Sequence, residues 1–175
     1  MNLLRGRVHR LENLIDGLLK YSRVGRIQSP PEVVNIDRLL AEVIDLLSPP
    51  PGFTLIVEGE MPTLLTEKTP LVQVFTNAID NAIRHHDRDD GNIKISVIDR
   101  GNCHEFSVTD DGPGIAPEYQ EKVFAIFQTL EARDKKENTG IGLALIKKII
   151  ETHNGKIQLE SQGDRGTSLR FTWLK

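Results

Sequence analysis

The chain has a single cysteine, Cys103, in 175 residues. No internal disulfide can form, and a reducing, cytoplasmic setting fits that usage. No apolar run approaches the roughly 20 residues that span a bilayer. The N-terminus lacks the charged-then-apolar pattern of a secretory signal. No Cys/His set has zinc spacing, and neither an internal repeat nor a low-complexity tract is present. Neither sign of charge dominates the whole, which is −3, but residues 1–26 carry six Lys/Arg against Glu12 and Asp16 (+4), leaving −7 on the rest. An acidic main body argues against a nucleic-acid partner. The basic residues at the start are interleaved with an apolar repeat, the pattern of a solvated helix face, so no membrane contact is expected. The length allows one sizeable domain with its own core.

Residues 2 to about 24 read as a helix, because Leu4, Val8, Leu11, Ile15 and Leu18 recur at heptad spacing. Leu3, Leu14 and Leu19 widen that face toward a helical bundle. Three heptads are too few to be stable alone, so the helix needs partners. Gly25 and Ser29-Pro30-Pro31 end it and open a linker over 27–32. The remainder, 33–175, mixes elements. Val33-Val34 suggests a short strand, 37–47 a helix, and 53–57 a strand. A helix follows from Pro70 to about His86, with Thr69 as its N-cap. Two strands over 93–98 and 105–109 are joined by the turn Arg100-Gly101-Asn102. Residues 116–139 read as a short helix and a mobile loop, and 140–153 as a helix stopped by Asn154-Gly155. Strands over 157–160 and 168–173 close the chain. The order predicts an α+β fold: a two-layer sandwich with a mixed sheet covered on one face by helices, preceded by one N-terminal helix.

Four short segments carry the candidate chemistry. In Asn77-Ala-Ile-Asp-Asn81-Ala, residues Asn77, Asn81 and Arg84 share one helical stripe. Asparagine is unfavourable in mid-helix, and amide oxygens suit a hard cation such as Mg²⁺, with Arg84 toward phosphate oxygens. Asp110-Asp-Gly112-Pro-Gly114-Ile115 follows a strand, where a carboxylate can accept from an exocyclic amine and glycines permit close approach. Thr139-Gly140-Ile141-Gly142-Leu143-Ala opens a helix, a natural phosphate site. Gly163-Asp-Arg-Gly166-Thr167 follows. Each segment alone has a plain reading as a polar face, a turn or helix punctuation. Their order is the signal.

Taken together they resemble the N, G1, G2 and G3 boxes of the catalytic, ATP-binding domain of sensor histidine kinases, which share a superfamily with gyrase, heat-shock chaperone and mismatch-repair ATPases. The resemblance covers residues 30–175. It implies ATP and Mg²⁺ as cofactors, with Asn77 and Asn81 holding metal and phosphate and Asn81 the metal ligand. Arg84 and His85 would lie near the phosphates. Asp110 would bind the adenine amine, with Gly112, Gly114 and Ile115 lining the base pocket. Phe124 and Phe127 would be the F box of an ATP lid. Thr139, Gly140, Ile141, Gly142 and Leu143 would form the phosphate-side segment, and Thr167 would support the adenine end.

Residues 14–25 resemble the second helix of the dimerisation and phosphotransfer hairpin, so the resemblance implies a response-regulator receiver domain as partner and a possible homodimer through residues 1–24. It also implies an acceptor histidine on the preceding helix, which the chain lacks. His9 is followed by Arg10 rather than an acidic residue, and it lies on the second helix. His86 reads as a surface residue, and His104 and His153 as structural. Two departures stand out: Asn138 where many members have glycine, and Asp111 where Asn is common, which would add charge near the base pocket. Two alternatives stay open, a nucleotide-binding scaffold and an ATP-hydrolysing relative. Hydrolytic relatives carry a Glu base where this chain has Asn77, and an amide cannot accept that proton.

Overall fold

A computed structural model describes residues 2–26, 28–127, 139–161 and 165–175. Helix α1 (Asn2–Arg23) is followed by β1 (Glu32–Asn35), α2 (Ile36–Leu47), β2 (Phe53–Glu58), β3 (Thr63–Thr66) and α3 (Lys68–Arg84). Then come β4 (Gly91–Asp99), β5 (Cys103–Asp110), α4 (Pro117–Gln120), a 3₁₀ turn (Lys122–Phe124), α5 (Gly142–Thr152), β6 (Ile157–Glu160) and β7 (Thr167–Leu174).

Five strands make a mixed sheet in the order β2-β4-β5-β7-β6. Only β2 and β4 run parallel; the other neighbours are antiparallel. The period of two along β4, β5 and β7 turns Ile93, Ile95, Phe106, Val108, Leu169, Phe171 and Trp173 inward. Helices α2, α3 and α5 bury the complementary stripes: Ile36, Leu39, Leu40 and Val43; Leu71, Val74, Phe75, Ala78, Ile79 and Ala82; and Ala144, Leu145, Ile146, Ile149 and Ile150. Phe75 ties the layers, with its ring edge-on to Phe106 at 5.4 Å and to Phe171 at 5.5 Å. The opposite sheet face is polar, with Ser107, Thr109 and Ser168 sharing hydroxyl hydrogen bonds. This is the expected two-layer α+β sandwich.

Three local readings need correction. Strand β3 pairs antiparallel with β1 in a separate two-stranded sheet. Its sequence, Thr63-Leu-Leu-Thr66, is too short to show periodicity. Helix α3 begins at Lys68, and its N-cap is Glu67, which makes no side-chain cap bond, not Thr69. Helix α5 begins at Gly142 rather than Gly140, because Gly140 has φ +65°, outside the right-handed helix region.

Helix α1 docks on α5 near its C-terminal end. The Lys148 ammonium donates to the Tyr21 carbonyl at 2.8 Å and sits 4.2 Å over the Tyr21 ring. Gly17 faces Ile141 so closely that a Cβ there would fall 2.8 Å from its Cδ1. The heptad residues Val8, Leu11, Ile15 and Leu18 remain 46–58% exposed. The side chain of Leu4 lies outside the described residues, as do Asn138, Gly163 and the loop 128–138. No helix among the described residues is long and apolar enough to cross a membrane.

Candidate active site

A cleft of about 560 Å³, open to solvent, runs between α3, the end of β5 and the start of α5. Its apolar walls are Ala78 and Ala82 on α3, Val108 on β5, Leu159 on β6, Leu169 on β7 and Leu143 on α5. Its polar groups are few: Asn81, His85, Asp110 and Thr167. An apolar cleft with a small number of convergent polar groups is the usual form of a small-ligand site. Pro113, Gly114 and Ile115 form part of its rim.

One end is built on α3. Its apolar face is anchored in the core, so the stripe carrying Asn77 and Asn81 must face the start of α5. Asn77 Nδ2 donates to the Gln73 carbonyl at 2.7 Å. Gly142 closes over both amides: a Cβ on it would lie 3.3 Å from Asn77 Oδ1 and 3.4 Å from Asn81 Oδ1. Asn81 Nδ2 is buried without a hydrogen-bond partner. Such an orphan costs free energy unless something else satisfies it. A carboxamide can donate to a phosphate oxygen or, turned over, present its oxygen to a cation. The residues present therefore fit a hard divalent ion with phosphate, and Gly142 leaves the room. Among the described residues no group of three or more His, Cys, Asp or Glu could hold a metal, so amide oxygens are the donors on offer.

The other end is Asp110, the last residue of β5, paired with Thr167 across to β7. Its Oδ1 accepts from the Gly112 N–H at 2.9 Å. A Cβ on Gly112 would lie 2.8 Å from that oxygen, so the turn needs glycine there. Burial raises the Asp110 carboxyl above its ordinary range, and hydrogen bonds from the Gly112 and Thr167 backbone oppose the rise. Below it, Ser161 Oγ accepts from Ile115 N–H and donates to the Gly166 carbonyl, while Gln120 Nε2 reaches the carbonyls of Ile115 and Ser161. These side chains tie the G1 turn to the last hairpin. Local sequence does not mark the bonds that cross between the two segments, because Ile115–Ser161 and Gln120–Ser161 are 46 and 41 residues apart.

Not every expected residue reaches the cleft. Arg84 turns back one helical turn to Asp80, with its Nε 2.7 Å from Oδ2, and it lines a separate shallow groove with Pro50, Phe53 and Arg88. Ile141 is buried beneath the segment it belongs to. Phe124 packs against the core under Lys147, whereas Phe127 is half exposed, has φ +66° and donates its N–H to the Gly140 carbonyl. Thr139 and Gly140 follow the undescribed stretch and are partly exposed.

One reading is overturned. His86 is not a surface residue: it is 4% exposed, wedged against Phe53. Asp111 keeps its charge beside the base pocket, where it adds to the rise of the Asp110 carboxyl, but its side chain is turned away. Its carboxylate accepts from His86, Asn92 and Arg88 and is absent from the cleft lining. Burial alone would raise its pKa, but the hydrogen bonds from Asn92 and His86 hold it well below the ordinary range. His153 does look structural, stacked on Trp173 at 4.5 Å.

Comparison with known proteins gives the same reading. Residues 66–175 match the family described as histidine kinase-, DNA gyrase B- and HSP90-like ATPases. The chain is 35% identical over 164 residues to cyanobacterial phytochrome A of a Nostoc species, covering 93% of this chain and 21% of that protein. Full-length ShkA in complex with AMPPNP superposes with a TM-score of 0.81 at 26% identity, over 98% of this chain and 37% of that one. Histidine kinase ThkA in complex with response regulator protein TrrA superposes with a TM-score of 0.77 at 27% identity, over 99% and 50%. The chain spans about a fifth of the length of the first curated relatives it matches. With more than half of its residues inside the family match, the chain belongs to the histidine kinase-, DNA gyrase B- and HSP90-like ATPases.

Proposed function

We propose that this domain binds Mg-ATP in the cleft and delivers the γ-phosphate to a histidine on a dimerisation helix outside this chain. The observation that carries the reading is the buried, unpartnered Asn81 amide facing Gly142 at one end of a cleft whose other end holds Asp110. Asp110 would accept from the adenine amine, and the apolar walls Ala82, Val108 and Leu169 would cover the ring faces. Asn77 and Asn81 would hold the phosphates and Mg²⁺, whose bound charge neutralises phosphate oxygens. The N-terminus of α5 would add backbone N–H groups and its dipole.

What this chain's residues contribute is position and charge. A neutral imidazole is already a nucleophile, so the domain need not supply a base. Asn77 agrees with that, since its amide cannot take a proton from water as a hydrolytic base would. The observation weighs against the ATP-hydrolysing alternative.

The partners extend this reading. ThkA is seen with a response regulator, and the same class of partner, a receiver domain, is inferred here. Residues 1–26 are inferred to be part of a dimerisation and phosphotransfer unit, 27–32 a linker and 33–175 the catalytic domain. The exposed residues Val8, Leu11, Ile15 and Leu18 would take part in a homodimer. The domain would work in the cytoplasm, where ATP is available.

Titration calorimetry with AMPPNP, with and without Mg²⁺, tests the site. Magnesium-dependent binding is expected, and no binding at millimolar ligand would leave only a scaffold. Incubating the chain with labelled ATP and an acceptor-bearing hairpin in trans tests the transfer. Acid-labile, base-stable label on the hairpin is expected, and release of free phosphate without label on it would favour hydrolysis.

A further inference from the structure

The adenine end of the cleft rests on a pair of side chains outside it. The His86 imidazole lies between two glycines. A Cβ on Gly91 would fall 2.6 Å from its Nε2, and one on Gly112 would fall 3.4 Å from its Cδ2. Phe53 meets the ring edge-on at 5.3 Å, and none of the imidazole is exposed. Its Nδ1 accepts from the Arg88 N–H at 3.2 Å, so Nε2 carries the proton donated to Asp111 Oδ1 at 2.9 Å.

Asp111 is held through each of its polar atoms. Oδ1 also accepts from Asn92 N–H at 2.8 Å, and Oδ2 accepts from Asn92 Nδ2 at 3.0 Å and Arg88 Nη2 at 3.3 Å. Its own N–H donates to the Asn92 carbonyl at 3.3 Å, and its carbonyl accepts from Arg165 at 2.6 Å. Arg165 in turn reaches Asp87 Oδ2 at 3.1 Å. The end of α3, the start of β4 and the last hairpin are thus joined at one residue. That residue sits between Asp110, whose carboxylate lines the cleft, and Gly112, whose N–H orients that carboxylate. Peptide units are planar and stiff, so holding Asp111 on both sides leaves Asp110 and Gly112 little freedom.

We propose that His86 and Asp111 are a positioning pair that sets the adenine-reading geometry of Asp110, and so the preference of this domain for adenine over other purines. The inference rests on the reading of the cleft as an adenine nucleotide site. A pair that served stability alone would change the unfolding temperature and weaken every nucleotide equally. A positioning pair acts on the base and spares the phosphates, which are bound at the other end of the cleft on Asn77 and Asn81.

The test is calorimetric affinity for ADP and for IDP, which carries a carbonyl in place of the 6-amine. It is run on the unsubstituted chain, His86→Ala and Asp111→Ala, with thermal unfolding recorded for each. Asp111 is the milder site, since its side chain is 39% exposed, and it decides the matter should the buried His86→Ala variant fail to fold. The expected result is about a tenfold loss of ADP affinity, equal to one good hydrogen bond, with IDP affinity unchanged. The double variant should lose no more than either single one, because both act through one network. An unchanged ADP-to-IDP ratio in folded variants overturns the positioning pair and leaves the nucleotide site standing. Equal ADP and IDP affinity in the unsubstituted chain overturns the adenine reading and the pair with it.

Discussion

Replacing Asn81 by alanine should make the empty protein more stable and the nucleotide-loaded protein less so. Asn81 Nδ2 is buried without a partner, and an unsatisfied buried polar group costs about 1–3 kcal/mol. Alanine is also the better residue inside α3, by roughly 0.5 kcal/mol. Against these gains stand the van der Waals contacts of the lost carboxamide. The side chain lines an open cleft, so water can enter and no closed cavity forms. A net gain of about 1 kcal/mol follows, or roughly 2–4 °C in Tm for a domain of this size. With Mg-ADP at 100 times its Kd, the unsubstituted chain gains about 2.7 kcal/mol. Loss of a charge-assisted contact weakens binding up to about 100-fold, and at the same ligand concentration the variant then gains only about 0.4 kcal/mol. The order of melting temperatures therefore reverses on adding Mg-ADP. Thermal unfolding by circular dichroism, with and without ligand, reads both numbers. A variant that melts lower when empty and keeps its full ligand-induced shift would refute both halves of the reasoning.

Three further outcomes are expected. Gly142→Ala puts a methyl 3.3 Å from Asn77 Oδ1 at a position where φ is not positive. The fold should persist while Mg-nucleotide affinity drops about tenfold or more, and undiminished affinity by calorimetry would show that the two segments have slack between them. Asp110 must be ionised to accept well from an amine, and burial raises its pKa above 3.8. As pH falls through that raised value, ADP affinity should fall while IDP affinity holds, and Asp110→Asn should remove the difference; parallel losses for both ligands would refute it. Phe75→Ala removes a ring that is 0% exposed between Phe106 and Phe171. It should cost about 3–5 kcal/mol in chemical denaturation, and a cost below about 1 kcal/mol would contradict its place at the centre of the core.

Features that depend on local spacing can be read directly from the residues. Helical period places Asn77 and Asn81 on one stripe whatever the rest of the chain does, and alternation in β4, β5 and β7 sorts residues between the two sheet faces. The order of the glycine segments identified the family, because each needs small residues where backbone or ligand comes close. Features that depend on partners far along the chain emerge only once the chain is folded. His86 follows a polar stripe and is flanked by His85 and Asp87, so nothing nearby says that it is buried. It is buried because Gly91, Gly112 and Phe53 converge on it from three other segments. The charge of Asp111 does lie beside the base pocket, but the direction of its carboxylate is set by Asn92 and Arg88 across the sheet edge. Arg84 shares the stripe of Asn77, yet its long side chain folds back to Asp80. Strand β3 exists because β1 supplies its hydrogen bonds. Periodicity fixes which way a backbone position faces, whereas the end point of a long or polar side chain is set by whichever partner the fold brings within hydrogen-bonding distance.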